Sequence, residues 1–200
     1  MLRKTLVFAL VITFLIPGCI ESNSVVGSEK DEIPLRLNFE AQTLDRTEDN
    51  GSSFELKKEL ESSPVLLLWV GSSCFGCHDW TNLIRDSLDN GSLNQSTLSI
   101  VSVHRWANLE GAEEVMEAFG ENNNDSTYTP WKIVMADERT PALEYFSGDD
   151  TGYNIYEAYG NPSTPTLQLI GDNGIKMWQS KNYWANSTIL QEIWDTAAKL

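Results

Sequence analysis

From Ile33 the apolar residues Leu35, Leu37 and Phe39 alternate with polar neighbours, the period of a half-buried strand. A turn-like Glu48-Asp49-Asn50-Gly51 follows, and then a short segment from Ser53 to Leu56. Pro64 to Val70 is a continuous apolar run closed off by Gly71, too short for a helix, so it predicts a central strand covered on both faces. Trp80, Leu83, Ile84 and Leu88 then recur at helical spacing until Asn90-Gly91 ends the pattern. Leu98 to Val103 reads as a second strand, Ala112, Val115, Met116 and Phe119 share one helical face, and Trp131 to Met135 supplies a third strand. The order is βαβαβ, which predicts an α/β fold with helices flanking a central sheet. Residues 141–160 suggest one or two short helices interrupted at Gly148-Asp149-Asp150 and Gly152. Ser163-Thr164-Pro165-Thr166 leads into Leu167 to Ile170, and a Gly171-Asp172-Asn173-Gly174 turn joins that run to Ile175 to Trp178 as a hairpin. Asn186 is placed to cap a last helix whose face carries Ile189, Ile193, Trp194 and Ala197.

The first nineteen residues stand apart from this pattern. Arg3 and Lys4 precede an apolar run from Leu6 to Ile16, whose eleven residues rise only about 16 Å as a helix, against about 30 Å of membrane hydrocarbon. That is an export signal rather than a stable span. The run ends Leu15-Ile16-Pro17-Gly18-Cys19, which resembles a lipobox: an apolar residue three before the cysteine and a small one immediately before it. The expected organisation is a lipoprotein-type signal peptide over 1–19 with Cys19 as the lipid site, a flexible polar tether over 20–32, and one domain over 33–200. The protein would then be held on the cell membrane, facing outside the cytoplasm. Simple cleavage and release is the alternative.

Two hundred residues suit one well-buried core. A hydrophobic fraction of 41% is that of a globular protein, and 13 Gly, 7 Pro and 3 Cys exclude collagen-like, low-complexity and disulfide-scaffold classes. The formal charge is −15, with 14 basic against 29 acidic side chains. A field of that sign repels phosphate backbones and anionic headgroups, so no nucleic-acid partner is expected. Asn50, Asn90, Asn94, Asn124 and Asn186 each begin an Asn-x-Ser/Thr sequon, here read chiefly as turns and caps. Trp69 and Trp80 flank the next cysteine and read first as core.

With Cys19 in the signal region, only Cys74 and Cys77 remain. A single close pair at a strand-to-helix junction is a working pair rather than a staple, because so short a loop restrains the unfolded chain little. The helix N-terminus favours a thiolate at Cys74, and Cys77, one turn in, is placed to resolve a mixed disulfide formed there. Cys74-Phe-Gly-Cys77-His78 also satisfies the pattern for covalent haem attachment, with His78 as iron ligand. A zinc site would need His104 as well. The expectation is no cofactor, with His78 a helix residue that helps to stabilise the Cys74 thiolate.

The chain resembles the thioredoxin superfamily, and within it the membrane-anchored TlpA/ResA-like thiol–disulfide oxidoreductases. The resemblance covers Pro34 to Leu200 and rests on Val65 to Val70, the Cys74–Cys77 motif, Ser163-Thr164-Pro165-Thr166, and an additional βα segment from about Leu109 to Met135. It implies a thioredoxin-like fold, a central mixed sheet flanked by helices, with an N-terminal β extension and a βα insertion. It implies catalytic Cys74 and Cys77, a cis-Pro165 facing the disulfide, and Thr164 pairing its backbone with a substrate peptide. The implied partners are protein thiol or disulfide substrates and a membrane electron donor or acceptor, with reduction favoured over oxidation. A non-enzymatic binding module on the same fold, carrying metal or haem, is the competing reading. Gly76 stands where the family commonly has proline, Ser73 where it has tryptophan, and Leu68 where many relatives have a buried carboxylate or amide. Asp79 and Glu138 are the candidates to replace that group in moving the resolving thiol's proton.

Overall fold

The computed structural model describes residues 32–122 and 127–200. The signal peptide 1–19, its Cys19, the tether up to residue 31 and Asn124 lie outside the described residues.

The apolar run becomes strand β4, Val65–Val70, with every residue buried. It pairs in parallel with β5 (Ser99–His104), which pairs in parallel with β6 (Lys132–Met135). On the other side β4 is antiparallel to β9 (Thr166–Ile170), and β9 to β10 (Lys176–Ser180). Strands β2 (Glu40–Thr43) and β3 (Ser53–Glu55) extend the β6 edge, so the described residues form a seven-stranded mixed sheet in the order β10-β9-β4-β5-β6-β2-β3. A strand buried on both faces needs cover on both. Leu66, Leu68 and Val70 pack with Trp80 and Ile84 of α2 (Phe75–Asp89) and with Leu190, Ile193 and Trp194 of α5 (Ser187–Ala197). Val65, Leu67 and Trp69 face the opposite core, with Leu56 and Leu60 of α1 (Leu56–Leu60) and Ile155 and Tyr156 of α4 (Ile155–Ala158). At about 1.5–3 kcal/mol for each fully buried aliphatic side chain, this strand anchors the domain. Asn186 accepts from the Thr188 and Ile189 amides and caps α5 as expected. The other described sequon asparagines sit in turns: Asn90 and Asn94 accept from the amides of Ser92 and Ser96, and Asn50 has a φ of 55°.

Two expectations are corrected. The first strand does not run with Leu35 inward: Leu35 is 84% exposed, and β1 is only Leu37–Asn38. There the chain leaves a small sheet, in which β1 pairs with β7 (Pro141–Glu144) and β7 with β8 (Asp150–Asn154), and enters the main one at β2, so Leu37, Asn38 and Phe39 are buried in succession. Buried Asn38 is satisfied by receiving the Lys57 amide at the start of α1, a helix the pattern did not announce. The predicted helices over 141–160 are mostly a hairpin, β7 (Pro141–Glu144) and β8 (Asp150–Asn154), followed by the single turn of α4. Gly148 and Gly152 hold φ of 76° and 74°, and the Glu144 carboxylate accepts the Phe146 and Ser147 amides to close the turn. Helix α3, Ala112–Val115, passes into a π-helical turn, Met116–Gly120, which carries Phe119 into the core.

Candidate active site

Strand β4 delivers the chain to Gly71, where a Cβ would sit 2.7 Å from the Trp106 ring, so only glycine lets the β5–α3 connection close over the turn. Ser72 and Ser73 follow, and Cys74 takes the N-cap of α2. Its Sγ accepts the Cys77 amide at 3.2 Å, and its carbonyl begins the helix by accepting from Cys77 and His78. Cys74 and Cys77 form a disulfide with Cα atoms 5.2 Å apart. Cys74 is 3% exposed and Cys77 fully buried, so Cys74 is the outer of the two. The Thr164–Pro165 bond is cis, as the resemblance implied.

Gly76 carries its own explanation. A Cβ there would lie 2.3 Å from the Tyr183 carbonyl and 3.2 Å from Pro165 Cδ. The β10–α5 connection is drawn onto this glycine by two bonds from α2: Trp80 Nε1 donates to the Asn182 carbonyl at 2.9 Å, and the Ala185 amide donates to Asp79 Oδ2 at 2.8 Å. Tyr183 and Trp184, stacked edge to face with centroids 4.9 Å apart, are exposed on this connection, and Phe75 is exposed at the start of α2. Gly76→Ala should therefore push this connection off α2 and destabilise the protein by about 1–3 kcal/mol, as overpacking does. Thermal unfolding measures the loss, and an unchanged midpoint would mean that the connection yields freely.

His78 Nε2 bonds the Ser72 carbonyl at 2.7 Å, and its ring meets Phe119 edge to face at 5.1 Å. It braces the loop before Cys74. That bond occupies the nitrogen a haem iron would take, and Cys77, buried against the Trp69 carbonyl, leaves no room for a porphyrin, so these residues do not fit covalent haem. His104 Nε2 is likewise committed, to Glu110, which argues against zinc held by these imidazoles. Asp79 holds the Ala185 amide, and Glu138 lies exposed among the residues of the β7–β8 hairpin.

Glu110, in the β5–α3 connection, belongs to no motif or periodic pattern in the sequence. It is 8% exposed, and its carboxylate accepts the Ser72 amide at 2.6 Å, the Ser73 amide at 3.1 Å and the Ser73 hydroxyl at 2.6 Å. Burial alone would raise its pKa. The Ser73 hydroxyl and the two amides more than reverse that and hold it at about 2. His104, wholly buried on β5, donates Nε2–H to the same carboxylate at 3.1 Å, and its desolvation pushes the imidazole below its ordinary value despite that carboxylate.

No family model and no curated protein matches this sequence. Solved structures do. A thiol–disulfide isomerase from Corynebacterium glutamicum superimposes with a TM-score of 0.53 at 11% identity, covering 86% of this chain and 99% of the other. Mycobacterium tuberculosis DsbF gives 0.51 at 13% identity, covering 83% and 99%. The mitochondrial 2-Cys peroxiredoxin of Plasmodium falciparum gives 0.53 at 14% identity, covering 84% and 92%. Proteins named for different chemistries share this scaffold, so the activity must be argued from the site. What the likeness establishes is that the chain has the thioredoxin-like fold, with a Cys-x-x-Cys disulfide at the head of α2.

Proposed function

We propose that the protein is an exported thiol–disulfide oxidoreductase that reduces disulfides in other proteins. The observation that carries this reading is the Cys74–Cys77 bridge at the N-terminus of a fifteen-residue helix, with cis-Pro165 against Gly76 between the two sulfurs. In the dithiol state the orphan amides and dipole of that helix stabilise a Cys74 thiolate. The thiolate attacks a substrate disulfide, forming a Cys74–substrate bond and expelling one substrate thiolate. Cys77 then loses its proton, attacks Cys74 Sγ, closes the internal disulfide and releases the second substrate thiolate. Two electrons have passed to the substrate, and the product is the oxidised form described above.

Thr164 offers its backbone to an extended substrate, and exposed Phe75, Tyr183 and Trp184 supply an apolar rim around the reacting sulfur. Regeneration requires a dithiol donor on or across the membrane, to which lipid-modified Cys19 would keep the domain close. Among the described residues no helix is long and apolar enough to cross a membrane.

The test is the redox equilibrium of the purified protein against glutathione, read by thiol alkylation and tryptophan fluorescence after an absorption spectrum. A two-electron transition with a midpoint well below that of the glutathione couple is expected. An oxidising midpoint would reverse the direction, and thiols that never exchange, or a Soret band, would end the oxidoreductase reading.

A further inference from the structure

The loop that presents Cys74 hangs from a charge. Both amides before the cysteine, and the Ser73 hydroxyl, point at the Glu110 carboxylate rather than at the sulfur. Among the described residues no ammonium or guanidinium pairs with that carboxylate. Its remaining partner is His104, and Arg105 lies over the Tyr156 ring at 4.0 Å with Nε on the Pro162 carbonyl. The other ionisable groups around the loop do not offset it. From α2 come His78, on the Ser72 carbonyl, and Asp79, on the Ala185 amide. From the α3 segment come Glu114 and Glu117, which line a cavity of about 350 Å³ with Ser72, Ser73 and His78.

We propose that Glu110 is a positioning residue with an electrostatic function: it holds the Ser72–Ser73 loop in place while its buried negative charge disfavours the Cys74 thiolate and so makes the dithiol a stronger reductant. The inference rests on the thiol–disulfide reading of the site. Covalent geometry from Ser73 bounds the carboxylate to within about 10 Å of Cys74 Sγ. At the effective dielectric of a protein interior, a unit charge at that separation changes a neighbouring ionisation by about tenfold. Since a stable thiolate stabilises the reduced form, raising the thiol pKa lowers the reduction potential. The helix terminus and Glu110 then act in opposition on Cys74, one activating the nucleophile and the other keeping the disulfide the preferred product.

The experiment compares wild type with E110Q, which retains an acceptor for the loop amides and removes the charge, and with E110D, which retains the charge. Reduction equilibria with glutathione are measured at about pH 5 and about pH 9.5, on either side of an ordinary thiol pKa; Glu110, held at about 2, is ionised in both. At the higher pH the glutamine variant should shift about tenfold toward the dithiol, about 30 mV for a two-electron couple. At the lower pH, where every form carries neutral thiols, it should lie within about twofold of wild type, and E110D should follow wild type at both. A shift of equal size at both pH values would show a purely structural role, and no shift at either would remove the electrostatic one. Iodoacetamide alkylation of the reduced proteins against pH gives an independent readout, in which the E110Q midpoint must lie below that of wild type. Should wild type fail to exchange with glutathione, the functional reading fails, while the alkylation profile still decides the role of Glu110. If near-UV circular dichroism shows that E110Q has lost its tertiary structure, Glu110→Ser, which removes the charge and leaves space in which water can accept the loop amides, enters the same assays.

Discussion

Cys74→Ser is expected to bring disulfide exchange down to the protein-free rate while leaving the fold intact. In a reduction assay with a peptide disulfide as substrate and dithiothreitol as electron source, all turnover above background should vanish, because the serine hydroxyl does not ionise near neutral pH and cannot form the mixed disulfide. Cys77→Ser should differ in kind. Cys74 remains as the nucleophile, but the fully buried inner sulfur that would resolve the intermediate is gone. The variant should accumulate a covalent adduct through Cys74, visible by non-reducing electrophoresis and released by dithiothreitol. The asymmetry follows from position: Cys74 is the helix N-cap and has the exposed edge, whereas Cys77 lies one turn in, beneath the Trp69 carbonyl. Wild-type turnover in Cys74→Ser would refute the catalytic assignment, and trapping through Cys77 in that variant would reverse the two roles.

The parts of the site that local pattern could reveal are those that lie close together in sequence. Val65 to Val70 is readable as a central strand because no polar residue interrupts it, and the structure buries all six residues. Cys74 and Cys77 are readable because the run ends there and a helical period begins. The residues that pattern missed act across long stretches of chain. Glu110 meets Ser73 from 37 residues away, Trp80 reaches the Asn182 carbonyl across 102, and Asp79 the Ala185 amide across 106. A periodicity argument assigns each residue a face of its own element and is silent on what arrives there. Gly76 illustrates the limit. By the resemblance it was a departure from the usual proline, with no stated cause, until the Tyr183 carbonyl was found where a side chain would have to go. The hairpin at 141–154 escapes local pattern for a related reason: β7 is fixed by pairing with β1, more than a hundred residues earlier, and with β8, and the segment is rich in turn formers.

Arg46→Met is expected to be among the most damaging single changes outside the cysteines. Arg46 falls in the turn between β2 and β3, and its guanidinium is nonetheless almost wholly buried, with 4% of the side chain exposed. It pairs with Asp49, itself fully buried, at 2.7 Å, and donates to the carbonyls of Thr129 at 3.0 Å and Trp131 at 2.8 Å, with longer bonds to Phe119 and Gly120. One side chain thus ties the N-terminal strands to the middle and the C-terminal part of the inserted segment, including Phe119, whose ring supports His78 beside the cysteine loop. Methionine fills much of the volume and satisfies none of these acceptors, and it leaves the Asp49 carboxylate buried without its cation. Removing one partner of such a pair costs about 3–5 kcal/mol, a large fraction of the roughly 5–15 kcal/mol that holds a domain together. For a chain of this size that corresponds to a fall in Tm of about 6–20 °C. The double variant Arg46→Met, Asp49→Leu should recover part of the loss, since most of the penalty lies in the stranded charge rather than in the absent attraction. A single variant melting within about 2 °C of wild type would show that the carbonyls and Asp49 find other donors, and that the insertion is held by its apolar contacts alone.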